Sequence, residues 1–207
     1  SRTTELPSSP DRRRAAAHNL TLNPGDGSGM SEPTEADEPT VAVTVDRTLD
    51  ADRVTVWRAT ADPALTEACL PGCEELRSEE RPRDPTDDPL DAALDRPSER
   101  TFDAGETFEA ELGIGAAGIT LSYEVDVTVT EREFPEMRVE GEAGGEDGGF
   151  DTRATLTLSE TEDGTEAVWH AEADVSGRAA SIGAERLEPV VERVANGYFD
   201  AVEERLG

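Results

Sequence analysis

The residues in this chain best suited to special chemistry are two cysteines, four apart, in the phrase Ala68-Cys69-Leu70-Pro71-Gly72-Cys73-Glu74-Glu75. Thiols flanking a Pro-Gly turn can exchange disulfides, hold a metal or pair with each other. The spacing is CxxxC, whereas thiol-redox sites and zinc knuckles use CxxC. The sequence holds no second cysteine pair and only two histidines, His18 and His170. His18 lies in an N-terminal stretch without apolar periodicity. His170 is opposite in parity to Trp169 on an alternating segment, which puts it on the solvent face. A metal site would therefore lack ligands. A disulfide fits the spacing, but a reducing cytoplasm argues against it. The reading favoured for Cys69 and Cys73 is two small packing thiols, with a disulfide as the alternative.

Two other constellations fail on their context. Gly113-Ile114-Gly115-Ala116-Ala117-Gly118 matches GxGxxG. A dinucleotide site needs a helix directly after the glycines, whose N-terminus takes the pyrophosphate. Here the glycines lead instead into strict strand alternation from Ile119 to Val129, so they read as a hairpin turn. A Ser-His-Asp set cannot be assembled either, because neither histidine belongs to an inward face.

The elements that would position these residues read in order. Val41, Val43 and Val45 alternate on a strand from Val41 to Leu49. Asp50 or Asp52 then caps a helix running through Trp57 to Thr60, with Val54 and Trp57 on one face. Asp62-Pro63 opens a second short helix, Ala64 to Cys69, which Pro71-Gly72 stops. Glu74 to Glu80 reads as a polar edge strand. Residues 81–100 carry four prolines among many charges and read as a loop with one helical turn at 90–94. From Thr101 onward the chain alternates as successive strands, one apolar and one charged face each, as in an antiparallel sheet with one wet side. Their inward residues run Phe108 to Ile114, Ile119 to Val129, Met137 to Ala143, Phe150 to Leu158 and Ala167 to Val175. A long amphipathic helix, about Ala184 to Leu206, ends the chain. Leu187, Val190, Val191, Val194, Tyr198 and Val202 form its stripe, and Phe199 flanks it.

This order predicts an α+β domain in which a curved antiparallel sheet grips the last helix. Curvature leaves a cavity, and cavities bind ligands. The residues expected on its wall are Trp57, Leu70, Pro71, Phe108, Leu112, Ile114, Ile119, Leu121, Tyr123, Phe150, Leu156, Trp169, Val191, Val194 and Tyr198. Tyr123 stands out, since a buried phenol hydroxyl needs a partner, and a ligand carbonyl or a backbone group would serve.

Charge narrows the partners. The 207 residues carry 48 Asp and Glu against 19 basic residues, all of them Arg, for a net charge of -29. Residues 1–29 hold four arginines against three acids, so the acidic excess lies wholly in residues 30–207. In ordinary salt such a surface repels itself; at molar salt the Debye length falls to ~3 Å and the repulsion is screened. The expectation is a halophilic source. Nucleic acids and anionic membrane surfaces are disfavoured as partners by the same charge. There is no apolar run of about 18 residues and no apolar signal-peptide core near the start, so a cytoplasmic location is expected. Residues 1–39 read as a disordered tail, of which 1–29 either precede a true start at Met30 or form a genuine extension. Residues 40–207 read as one domain.

The phrases Val54-Thr55-Val56-Trp57, Asp62-Pro63-Ala64-Leu65 and Cys69-Leu70-Pro71-Gly72-Cys73-Glu74 resemble those of the G-subunit proteins of carbon monoxide dehydrogenase (CoxG). So do Gly113-Ile114-Gly115, Gly144-Gly145, Ala173-Asp174-Val175-Ser176-Gly177-Arg178 with Ile182-Gly183, and Tyr198-Phe199. That family lies in the START-like, helix-grip (polyketide cyclase/lipid transport) superfamily, and the resemblance spans about Val41 to Leu206. It implies a helix-grip fold with two short helices after the first strand. It implies a non-enzymatic accessory protein to a molybdenum hydroxylase of the carbon monoxide dehydrogenase type, with a hydrophobic cavity suited to a lipid or quinone and no cofactor. It also implies a role linking that enzyme to the membrane or its electron acceptor. The loop at 81–100 looks like an insertion. Many relatives continue into a linker and an apolar helix where this sequence ends at Gly207, so membrane contact is expected to be peripheral at most. Two other functions compete: a cyclase- or hydrolase-type enzyme of the same superfamily, and a maturation or interaction factor without a ligand.

Overall fold

A computed structural model describes residues 39–78, 101–116, 119–144 and 148–207, without the side chains of 114, 116 and 119–121. Contacts divide the chain into Ser1–Ala36 and Asp37–Gly207, and all described residues belong to the second unit. The expectations for the N-terminal tail and for the loop and helical turn within 81–100 lie outside the described residues.

The first strand, β1 (Thr40–Leu49), buries Val41, Val43, Val45 and Leu49 and exposes most of the residues between. Helix α1 (Arg53–Thr60) starts at Asp52, whose carboxylate accepts hydrogen bonds from the Val54 and Thr55 amides. This satisfies two of the orphan donors at the helix start. The hydroxyl and amide of Thr55 hold the Asp52 carboxyl below its ordinary pKa. Helix α2 (Pro63–Cys69) repeats the device: Pro63 takes the first turn, where no amide is needed, and Asp62 accepts from the Leu65 amide at 3.0 Å.

Strand β2 (Cys73–Arg77) is short and charged, as suits a sheet edge. The meander continues through β3 (Thr107–Ala116), β4 (Ile119–Glu133), β5 (Glu136–Ala143), β6 (Phe150–Thr161) and β7 (Gly164–Val175). All neighbours pair antiparallel in the order β1-β7-β6-β5-β4-β3-β2. Register shifts between Cys73 and Glu75 and between Val129 and Glu131 bend the sheet at its β2 and β4 strands. A short helix, α3 (Gly177–Ile182), precedes the long α4 (Ala184–Leu206). Helix α4 packs against β1, β3 and α2. Arg47 of β1 pins it, donating to Asn196 at 3.2 Å and pairing with Asp200.

Three local expectations need correction. Val54 does not share the buried face of Trp57: it is 45% exposed, whereas α1 buries Val56, Trp57, Ala59 and Thr60. Phe199 does not flank the stripe of α4 but is 1% exposed in the main core. Helix α3 has no counterpart among the expected elements, because six residues are too few to show a period.

Candidate functional site

The sheet and α4 enclose a cavity of about 370 Å³, within the ~300–1,000 Å³ range of ligand pockets. The fully buried apolar residues fall into four groups, bridged by the half-buried side chains of Tyr198, Met137, Phe150 and Leu76, all of which line the cavity. The open space has its reason in the inward face of the sheet. Ala110, Gly141, Ala154, Ala171 and Ala173 occupy inward positions on β3, β5, β6 and β7, where their small side chains leave the space of the cavity open.

Ten of the residues expected on the wall line this cavity: Leu70, Phe108, Leu112, Tyr123, Phe150, Leu156, Trp169, Val191, Val194 and Tyr198. Tyr123 and Phe150 meet edge to face, 5.2 Å between ring centres. Most of these side chains are half-buried, because part of their surface faces empty space instead of neighbours. The side chains of Ile114, Ile119 and Leu121 lie outside the described positions.

Two expected wall residues lie elsewhere. Trp57 packs edge to face on Phe134, in the turn between β4 and β5, with the Arg132 guanidinium 5.3 Å from its ring centre. Its helix docks on β6 and β7, which directs the indole to the turn and away from the cavity. Pro71 does not line the cavity either. Its ring packs on α4, where a side chain on Gly197 would place Cβ 2.8 Å from Pro71 Cγ.

The phrase between the cysteines is thus a structural clamp. Leu70 caps α2 with its amide on the Thr66 carbonyl. Gly72 has φ +83° and meets Gly113 of β3 backbone to backbone, the Gly113 amide donating to the Gly72 carbonyl at 2.7 Å. A Cβ on Gly72 would stand 2.2 Å from the Gly113 carbonyl oxygen. Cys69 and Cys73 are both free thiols. Burial raises the pKa of each. That of Cys73 is pushed up to about 11, with the Glu67 carboxylate adding to burial. Thiols held neutral in this way are poor nucleophiles and poor metal ligands.

Among the described residues, the polar side chains on the cavity wall are the hydroxyls of Thr60, Thr66, Tyr123, Thr152 and Tyr198 and the Trp169 indole. None is an acid or base that titrates near neutrality. Burial pushes the phenol of Tyr198 well above its ordinary pKa, opposed in part by the Thr66 hydroxyl. Tyr123 is also raised by burial, and Arg178 opposes the rise. The Thr and Ala positions on this wall are absent from the expected set, which holds mainly large apolar side chains. Inward parity on the strands marks small residues as well as large ones, and it is the signal that finds the alanines.

Residues 100–207, just over half the chain, match the family described as the G subunit of carbon monoxide dehydrogenase (CoxG). No curated protein sequence matches the chain. Among solved structures, the chain is similar to a conserved protein from Geobacillus kaustophilus. The TM-score is 0.61 at 18% identity, over 81% of this chain and 94% of that one. It is also similar to Ara h 8.0201, with TM-score 0.54 at 13% identity over 81% and 97%. A third similar structure is the di-domain ARO/CYC StfQ from the steffimycin biosynthetic pathway, with TM-score 0.55 at 9% identity over 82% and 52%. At these identities the likeness establishes a shared helix-grip fold.

Proposed function

The chain belongs to the CoxG family, the G subunit of carbon monoxide dehydrogenase, and from that membership and its cavity we propose that it is a non-enzymatic carrier of an apolar small molecule, a lipid or quinone. It would serve as accessory protein to a molybdenum hydroxylase of the carbon monoxide dehydrogenase type, linking that enzyme to the membrane or its electron acceptor. The observation that carries the reading is a concave wall of alternating apolar side chains with hydroxyls as its main polar groups. Such a wall favours a ligand by burial, at about 25 cal/mol per Å² of apolar area before the cost of ordering it. Among the described residues it offers no group able to shuttle a proton near neutral pH, which weighs against a cyclase or hydrolase. Among the described residues no helix is long and apolar enough to cross a membrane.

Organic extraction of purified protein, followed by titration with lipids and quinones, tests the carrier reading. Bound or rebound apolar molecules are expected; an empty extract and no uptake would overturn it. Co-purification with a molybdenum hydroxylase tests the accessory role separately.

The charge of -29 supports a high-salt setting for this work. Melting temperature should rise from low to molar KCl as repulsion is screened; an unchanged melt would remove that reading.

A further inference from the structure

The two edges of the sheet are finished in opposite ways. Strand β2 carries three protections against pairing with another chain: it has only five residues, its register shifts between Cys73 and Glu75, and it bears Glu74, Glu75 and Arg77. Strand β1 carries none of them. It runs ten residues in unbroken register along β7 and contains no proline. The Val175 amide donates to the Pro39 carbonyl at 3.1 Å. At the other end of the strand, a Cβ on Gly164 would stand 2.2 Å from the Leu49 carbonyl oxygen. Both contacts turn the backbone polar groups of the odd-numbered residues toward β7. Residues along an antiparallel pair alternate between bonding their opposite number and pointing away from it. Thr40, Ala42, Thr44, Asp46 and Thr48 therefore aim their amides and carbonyls at the free edge. Their side chains are all exposed, and among the described elements β1 packs closely on β7 and α4 alone. The strand is also neutral within a chain of net charge -29: Arg47 turns to Asn196 and Asp200 of α4, and Asp46 is its single acid.

We propose that β1 is a self-association edge, to which a second copy of this chain adds its own β1 antiparallel about a two-fold axis at Thr44. This register engages every edge-facing residue. Thr40 lies opposite the partner's Thr48, Ala42 opposite the partner's Asp46, and Thr44 opposite the partner's Thr44. Opposed threonines are favourable cross-strand pairs, whereas an axis at Asp46 would set two carboxylates face to face. The two seven-stranded sheets become one. The nearest acidic row is Glu166, Glu172 and Asp174 of β7. It lies three strand spacings, about 14 Å, from the same row of the second copy. That is inside the Debye length of ~30 Å at 0.01 M salt and far outside the ~3 Å at molar salt. High salt should therefore close the pair and low salt open it.

Sedimentation equilibrium of the full chain is the test. At about 100 µM, suited to an interface at the low end of buried area, the chain should be dimeric in molar KCl and monomeric in about 0.01 M KCl. Thr44→Glu puts two carboxylates on the axis and should weaken the dimer roughly fivefold or more in molar KCl. Its uptake of an apolar probe should be unchanged, because residue 44 is exposed and off the cavity wall. Cross-linking reads the register. Thr44→Cys places two thiols on opposed residues about 5.5 Å apart between Cα atoms, and diamide should join them as a disulfide. Thr48→Cys sets its two thiols about 27 Å apart and should not cross-link; the wild type, with Cys69 and Cys73, is the control. A monomer at every salt concentration would overturn the pairing and leave the edge to residues before Thr40 or to a different protein. A dimer that Thr44→Glu leaves intact, or one in which Thr48→Cys cross-links as readily as Thr44→Cys, would overturn it too.

Discussion

The clamp at Leu70-Pro71-Gly72 and the cavity are joined by adjacent residues, yet they are packed by opposite rules. At the clamp the backbones of Gly72 and Gly113 touch, and Gly197 lets α4 settle on the Pro71 ring. There is no room for a methyl group. In the cavity, walled in part by Leu70 itself, about 370 Å³ stands open. Close packing without voids is the rule for protein interiors, so the open centre is the exception and the clamp follows the rule. Adding the same carbon atoms to the two regions should therefore have opposite consequences.

Gly72→Ala should have the largest effect. It combines a left-handed backbone with a Cβ placed 2.2 Å from a backbone oxygen that cannot turn aside. A loss of about 3 kcal/mol or more is expected, or roughly 6–12 °C in melting temperature for a domain of this size. Ligand uptake should fall with it, because α2 and β2 would separate. A melt within 2 °C of wild type, roughly the shift of half a kcal/mol, would show that the clamp is slack and the comparison wrong.

Gly197→Leu probes the other jaw. Here the obstacle is the Pro71 ring, 2.8 Å from the added Cβ, and the helix gains propensity when glycine is lost. The two terms oppose, and overpacking should win by about 1–3 kcal/mol. Melting curves of this variant beside Gly72→Ala rank the two contacts; if Gly197→Leu were more stable than wild type, the ring would have to move freely.

Ala154→Leu makes an enlargement of similar size on the cavity wall. Ala154 is half-buried with open space before it. Stability should stay within about 1 kcal/mol of wild type, and uptake of an apolar probe should be lost as the side chain takes its place. Binding unchanged in a stable variant would put the ligand elsewhere.

Much of this contrast was legible in the sequence, and its failures have physical causes. The strands and α4 appeared because alternation and helical period survive wherever one face is buried: β1, β6 and α4 lie where their patterns place them. Capping chemistry announced the two helices: of Asp50 and Asp52, left open in the sequence, Asp52 is the cap of α1, and Asp62 with Pro63 opens α2. Trp57 was misplaced because burial of a large aromatic does not say against what it is buried, and the turn carrying Phe134 is far away in sequence. Pro71 was misplaced for a related reason: a turn next to a cavity can face the helix instead. Thr66 gave no signal, since a threonine in a seven-residue helix looks like solvent-facing filler until the position of α4 is known.

The cysteines give the mildest test of the contrast, and it reads the clamp from its outer edges. In the folded chain the Cys73 thiol titrates at about 11, against an ordinary value of 9.0, with burial the larger cause and Glu67 the lesser; Cys69 is raised in the same direction. Well below pH 9 the thiols are neutral in folded and unfolded chains alike, so they contribute no pH dependence there. Between about 9 and 11 the unfolded chain releases these protons and the folded chain keeps them, so stability must fall as pH rises. Melting temperatures from about pH 8 to 11 should show that decline in the wild type and a flatter one in a Cys69→Ser, Cys73→Ser variant. Some slope should persist in the variant because Tyr198 is displaced in the same sense. The variant should still take up an apolar probe, since neither thiol lines the cavity. An identical decline in both proteins would mean that water reaches the thiols, and that the clamp is open where the backbone contacts place it closed.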